Sequence, residues 1–127
     1  MIPAPLPLRL GAALAMAAIT LLLSLLPGVP LEGDTQFQWH LGAVPPALQN
    51  VMHLVFYALL YGAWAWALED TRVAPFRLAA AVFAFGLLIE LAQLQVPGRY
   101  ASLLDGVLNG AGVALGYLAC RARRAAH

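Results

Sequence analysis

Between Glu90 and Asn109 the chain reads Glu90, Gln93, Gln95, Arg99, Ser102, Asp105 and Asn109 through a stretch whose other residues suit hydrocarbon. Each type has a chemistry. A carboxylate moves protons or binds cations, and His53 further back adds a second proton-handling group. An arginine grips phosphate or carboxylate through two parallel hydrogen bonds. Charge in or beside a bilayer core costs several kcal/mol per group, roughly, unless it is paired, hydrated or functional. These residues therefore need a common explanation.

Helical spacing groups them. Glu90 and Gln93 are three apart and share a face. His53, Tyr57 and Tyr61 recur every four residues as a stripe. Asp105, Asn109, Gly112 and Gly116 form another, polar at one end and small further along. Gly106 and Gly110, like Gly112 and Gly116, are small residues four apart, the pattern that lets helix backbones approach closely in lipid.

Structural explanations stand beside the functional ones. Ser102 with Asp105 three residues on fits helix-start capping. Asn109 and Gln93 suit interhelical hydrogen bonding, His53 a satisfied interfacial residue, and Tyr57 and Tyr61 packing. Trp64, Trp66 and Tyr100 suit an aromatic belt. Arg99 is able to bridge Glu90 and Asp105 across Pro97-Gly98, which is a structural solution, or to anchor an anionic ligand, which is a functional one. One histidine and two carboxylates scattered along the chain are a weak metal signature, and no metal is expected. No cofactor is expected either. The chain has no Gly-x-Gly-x-x-Gly, no phosphate-binding loop with lysine, no His-Glu-x-x-His and no serine elbow. The single Cys120 excludes an internal disulfide.

These groups must be held by membrane-crossing helices. The 127 residues are 62% hydrophobic and 10% charged, with mean hydropathy +0.79, far from the composition of a soluble domain. Four apolar segments of about 20 residues suffice to cross ~30 Å of hydrocarbon: about 8–26, 46–68, 75–94 and 102–120. Proline starts and Pro-Gly stops punctuate them. The first lacks a small-x-small cleavage site and is expected to be retained rather than removed as a signal peptide. The expected fold is an all-α, integral membrane four-helix bundle forming one domain over 1–127.

Arginine placement orients it. Arg9, Arg72 with Arg77, and Arg121, Arg123 and Arg124 all fall on one side of four crossings, so both termini are expected in the cytoplasm. The opposite loop alternates polar and apolar residues from Gln36 to Leu41, with Phe37 and Trp39 as expected interface anchors. On this layout His53, Glu90, Gln93, Ser102, Asp105 and Asn109 all lie in the outer leaflet, beside Arg99. The lipid bilayer is the expected partner. No basic run suits nucleic acid, and oligomeric state is open.

The pattern Glu90-x-x-Gln93-x-x-x-Pro97-Gly98-Arg99-x-x-Ser102-x-x-Asp105-x-x-x-Asn109-x-x-Gly112-x-x-x-Gly116 resembles the VanZ-like membrane family, as does His53-x-x-x-Tyr57-x-Leu59. The resemblance covers the chain from the first span onward. One departure is Gln49-Asn50, where family members commonly carry Asp-Lys. The family takes its name from a protein associated with resistance to the glycopeptide teicoplanin. The resemblance implies a multi-pass protein of the bacterial inner membrane and cell envelope.

The expected function is binding or modification of an anionic envelope component, such as a lipid-linked cell-wall precursor. Arg99, Glu90, Gln93, Ser102, Asp105 and Asn109 are the expected ligand-binding residues. His53, Glu90 and Asp105 are the candidates for catalysis, if there is any. Two alternatives stay open: an accessory subunit whose polar groups only lock the helices, and a small transporter.

Overall fold

The computed structural model describes residues 4–30 and 40–126. Residues 36–39 of the alternating segment, including Phe37 and Trp39, lie outside the described residues. Four helices account for most of the rest: α1 (Leu6–Ser24), α2 (Pro46–Ala67), α3 (Pro75–Gln93) and α4 (Leu103–Ala125), with a single 3-10 turn at Leu41–Ala43 before α2. There is no strand among the described residues.

Proline decides where three helices begin. It occupies the first turn of α1, α2 and α3, where its missing N–H is not needed and its fixed φ suits the helix. At α4 the start is a side-chain cap: Ser102 Oγ accepts from the backbone N–H groups of Leu104 at 3.2 Å and Asp105 at 3.5 Å. Asp105 in the first turn and Arg123 and Arg124 in the last lie favourably along the helix dipole.

Helices α1, α3 and α4 are each long and apolar enough to cross a membrane. Helix α2 matches them in length, at 22 residues, but is less apolar. Gln49, Asn50, His53, Tyr57 and Tyr61 lower its hydropathy. The reason lies in packing. Helix α2 contacts all three other helices, whereas no contact joins α1 to α4. Its face is met largely by protein, so it does not need the apolar perimeter of its neighbours. Leu22, Leu88, Val107 and Leu118 are exposed on those neighbours, as a lipid-facing surface requires.

The α2–α4 contact is the most extensive, and glycine makes it possible. A Cβ at Gly112 would come 2.4 Å from the Leu54 carbonyl oxygen, and one at Gly116 would come 2.6 Å from that of Ala58. The two backbones thus touch, and they run parallel. Around the seam, Tyr57, Leu60, Tyr61, Ala65, Leu78, Val82 and Val113 form the buried core. Lipid tails are as apolar as leucine, so this close packing, not hydrophobic burial, drives association in a membrane.

Two polar ties hold the ends. At the end carrying both termini, Arg9 is buried and bonded to Glu69, to Asp70 at 2.5 Å and to the Trp66 carbonyl at 3.3 Å, fastening the start of α1 to the end of α2. At the other end the two Pro-Gly turns clasp each other. Gly28 N–H donates to the Pro97 carbonyl at 2.9 Å, Leu41 N–H to that of Pro27 at 2.8 Å, and Gly42 N–H to that of Gly28 at 3.1 Å. Gly98 has φ +71°, a conformation that favours glycine, and a Cβ there would meet Val29 at 2.6 Å.

Candidate functional site

The clasped turns sit above the polar cluster. Antiparallel alternation brings the end of α1, the start of α2, the end of α3 and the start of α4 to one end of the bundle. His53 from α2, Glu90 from α3, and Asp105 and Asn109 from α4 meet there.

Asn109 is the hub. It is fully buried, and its Nδ2 donates to Glu90 Oε1 at 3.3 Å while its Oδ1 lies 2.8 Å from His53 Nδ1. With the amide nitrogen committed to Glu90, the oxygen accepts a proton carried on Nδ1. That leaves His53 Nε2 facing Asp105 Oδ1 at 3.7 Å. Glu90 is 6% exposed, and its Oε2 has no hydrogen-bond partner among the described residues. The Ser102 backbone amide faces this carboxylate without completing a hydrogen bond. One ligand atom from each of His53, Glu90 and Asp105 fits within 4.8 Å of the others. The expectation of no metal rested on these groups being scattered along the chain; folding gathers them.

Arg99 stands apart. It makes no ion pair with Glu90 or Asp105, so the bridge across Pro97-Gly98 does not form. Its half-buried side chain instead lines a pocket of about 40 Å³ with Thr20, Ser24, Gln49, His53 and Tyr57. That volume admits a few waters or a small ligand group. His53 belongs to both the pocket wall and the carboxylate cluster, and so connects the two.

The remaining expected site residues serve the frame. Gln93 is fully buried, and its Nε2 donates to the Ser24 carbonyl at 2.8 Å, joining the C-terminal ends of α3 and α1. Ser102 is the α4 cap described above. Gly112 and Gly116 seat α2, whereas Gly106 and Gly110 face α3: a Cβ at Gly110 would meet Phe83 at 3.2 Å, and one at Gly106 only Leu87 at 4.0 Å. Gln49, noted as a departure from the family pattern, donates to the Leu41 and Val44 carbonyls at 3.1 and 2.8 Å and shapes the pocket rim.

Two residues have more to do than their spacing indicated. Tyr57 packs in the core, against Gly86, yet its buried hydroxyl has no partner among the described residues and its side chain reaches the pocket. The four-residue stripe with His53 was the available sign. Glu69 and Asp70 hold Arg9, a pairing that nothing in their local sequence reveals.

An all-helical bundle with lipid-compatible helices and a polar cluster at one end is a multi-pass membrane protein. The VanZ/LLP1 family profile matches residues 9–124, and the chain belongs to that family. Comparisons with curated proteins and with solved structures find no match.

Proposed function

We propose that this VanZ-like protein binds or modifies an anionic envelope component, most simply a lipid-linked phosphate, at the outer face of a bacterial inner membrane. Both termini lie in the cytoplasm on this reading, because Arg9, Arg72, Arg77 and the terminal arginines share the opposite end and positive charge favours that side. The chain acts as one domain.

The observation that carries the reading is Arg99, a guanidinium with no carboxylate partner among the described residues, placed over a pocket floored by His53 and Tyr57. An arginine against the positive-inside bias needs an anion nearby, and phosphate is the geometry its fork fits. His53 forms part of the wall beside what Arg99 holds. Glu90 and Asp105 charge the site from below, and Asn109 orients them.

The helix-locking role of Gln93 and Ser102 supports the accessory-subunit alternative only for those residues. It leaves Arg99 unexplained. The test is retention of a polyprenyl phosphate by the detergent-purified protein in native mass spectrometry. Arg99→Gln should lose the lipid while keeping wild-type membrane levels and helicity. Equal retention by Arg99→Gln defeats the reading.

A further inference from the structure

We propose that His53, Glu90 and Asp105 form a binding site for a divalent first-row metal ion, of which zinc(II) is the type, with Asn109 as its positioning residue. The site is independent of what Arg99 binds.

Four observations converge on it. The first is geometric. Three ligand atoms from three different helices lie within 4.8 Å of one another, and the His53 Nε2 to Asp105 Oδ1 edge is 3.7 Å. An ion about 2.0–2.2 Å from each ligand sets tetrahedral edges of roughly 3.4 Å. Small side-chain movements close the difference.

The second is the histidine's tautomer. Nδ1 is turned toward Asn109 Oδ1 at 2.8 Å, so Nε2 presents its lone pair to a carboxylate oxygen. Two acceptors facing each other call for a positive centre between them, and a proton or a metal ion supplies it. A metal-bound histidine almost always donates its other N–H to an oxygen acceptor, and Asn109 supplies that acceptor.

The third is Glu90. Its side chain is more than nine-tenths buried, Asn109 satisfies one oxygen, and the other has no partner among the described residues while lying in the cluster. A buried carboxylate oxygen left unpaired is costly. A metal ion satisfies it.

The fourth is charge. Two carboxylates share this small space, and no arginine pairs with either among the described residues. A divalent ion cancels their charge in one step. The mixed nitrogen and oxygen donor set suits zinc, manganese or iron(II) better than magnesium, which favours oxygen ligands and retains its waters. Three protein ligands leave a further position for water or a ligand oxygen. His53 also lines the pocket and would be shared between it and the metal site.

The test uses tag-free full-length protein in detergent, stripped with chelator, loaded with zinc and desalted. Wild type should retain one zinc per chain by elemental analysis and take up no magnesium. His53→Gln, Glu90→Gln and Asp105→Asn should each weaken zinc binding at least tenfold, and Asn109→Ala by roughly 10- to 100-fold, as second-layer changes do. His40→Gln, outside the cluster, should bind like wild type. X-ray absorption on zinc-loaded wild type should show only nitrogen and oxygen neighbours with one imidazole. Failure of wild type to retain zinc overturns the proposal, and is the result if the His53–Asp105 pair holds only a proton. Sulfur scattering from Cys120, or full binding by the three ligand variants, overturns it as well. The wild-type measurements decide even if a variant does not fold.

Discussion

Gly112 lies so close to Leu54 that a single added methyl would fall 2.4 Å from the Leu54 carbonyl oxygen. This backbone contact lets α4 run parallel to α2 and places Asn109, one turn away, beside His53. The geometry of the seam and the geometry of the site are therefore the same fact.

Alanine at Gly112 should force the two helices apart, costing about 1–3 kcal/mol as overpacking does, and should disturb His53 as well. Alanine at Gly106, where the nearest neighbour is 4.0 Å away, should change stability by no more than about 0.5 kcal/mol. Thermal unfolding of both variants in one detergent checks the contrast. Equal losses would mean that the α2–α4 seam is not the tight one.

Asn109→Leu should cost more than its volume change suggests. It strips Glu90 Oε1 and His53 Nδ1 of their partner inside the bundle, and each orphaned buried group costs about 1–3 kcal/mol. Some of that loss is offset by water or by alternative partners, as membrane hydrogen bonds generally show. Asn109→Leu combined with Glu90→Leu should recover part of it. A double-mutant cycle measures this coupling, and strict additivity would remove Asn109 from its central position.

Arg9→Gln should lower the thermal midpoint more than Asp70→Asn. Arg9 is the buried member that joins two acids and a carbonyl, whereas Asp70 is largely exposed with a second acid beside it. Raising ionic strength should narrow the difference slightly, since one side of the cluster faces solvent. A larger loss from Asp70→Asn would show that Arg9 depends on that one partner.

Much of this bundle is written in local signals. Pro46 and Pro75 mark the starts of α2 and α3 to the residue, and Pro-Gly marks the turns. Helix α4 was expected near 102–120 but continues to Ala125, because arginine and alanine are good helix formers and basic residues suit a C-terminal turn. That His53, Glu90, Asp105 and Asn109 fall toward one end of the bundle is legible as well, since turn positions and helix rise set it. Who meets whom there is not. Helical period gives a face but not which neighbour it meets, so Arg99 was equally able to bridge Glu90 and Asp105 or to stand free. The Arg9 clamp and the clasp of Gly28 on Pro97 join segments about 60 and 70 residues apart through contacts with no local signature.

The modest hydropathy of α2 bears on how such a chain is made. Released alone into hydrocarbon, this helix would present Gln49, His53 and two tyrosines to lipid, with nothing to accept them. Its neighbours are what make it compatible with the bilayer, and the last of them, α4, is also the last to leave the ribosome. The nascent chain must therefore keep α2 sheltered, at the translocon or against α1, until α4 has emerged. A ribosome-stalled intermediate ending at the α3–α4 turn should leave α2 extractable or protease-sensitive, and the finished protein should not.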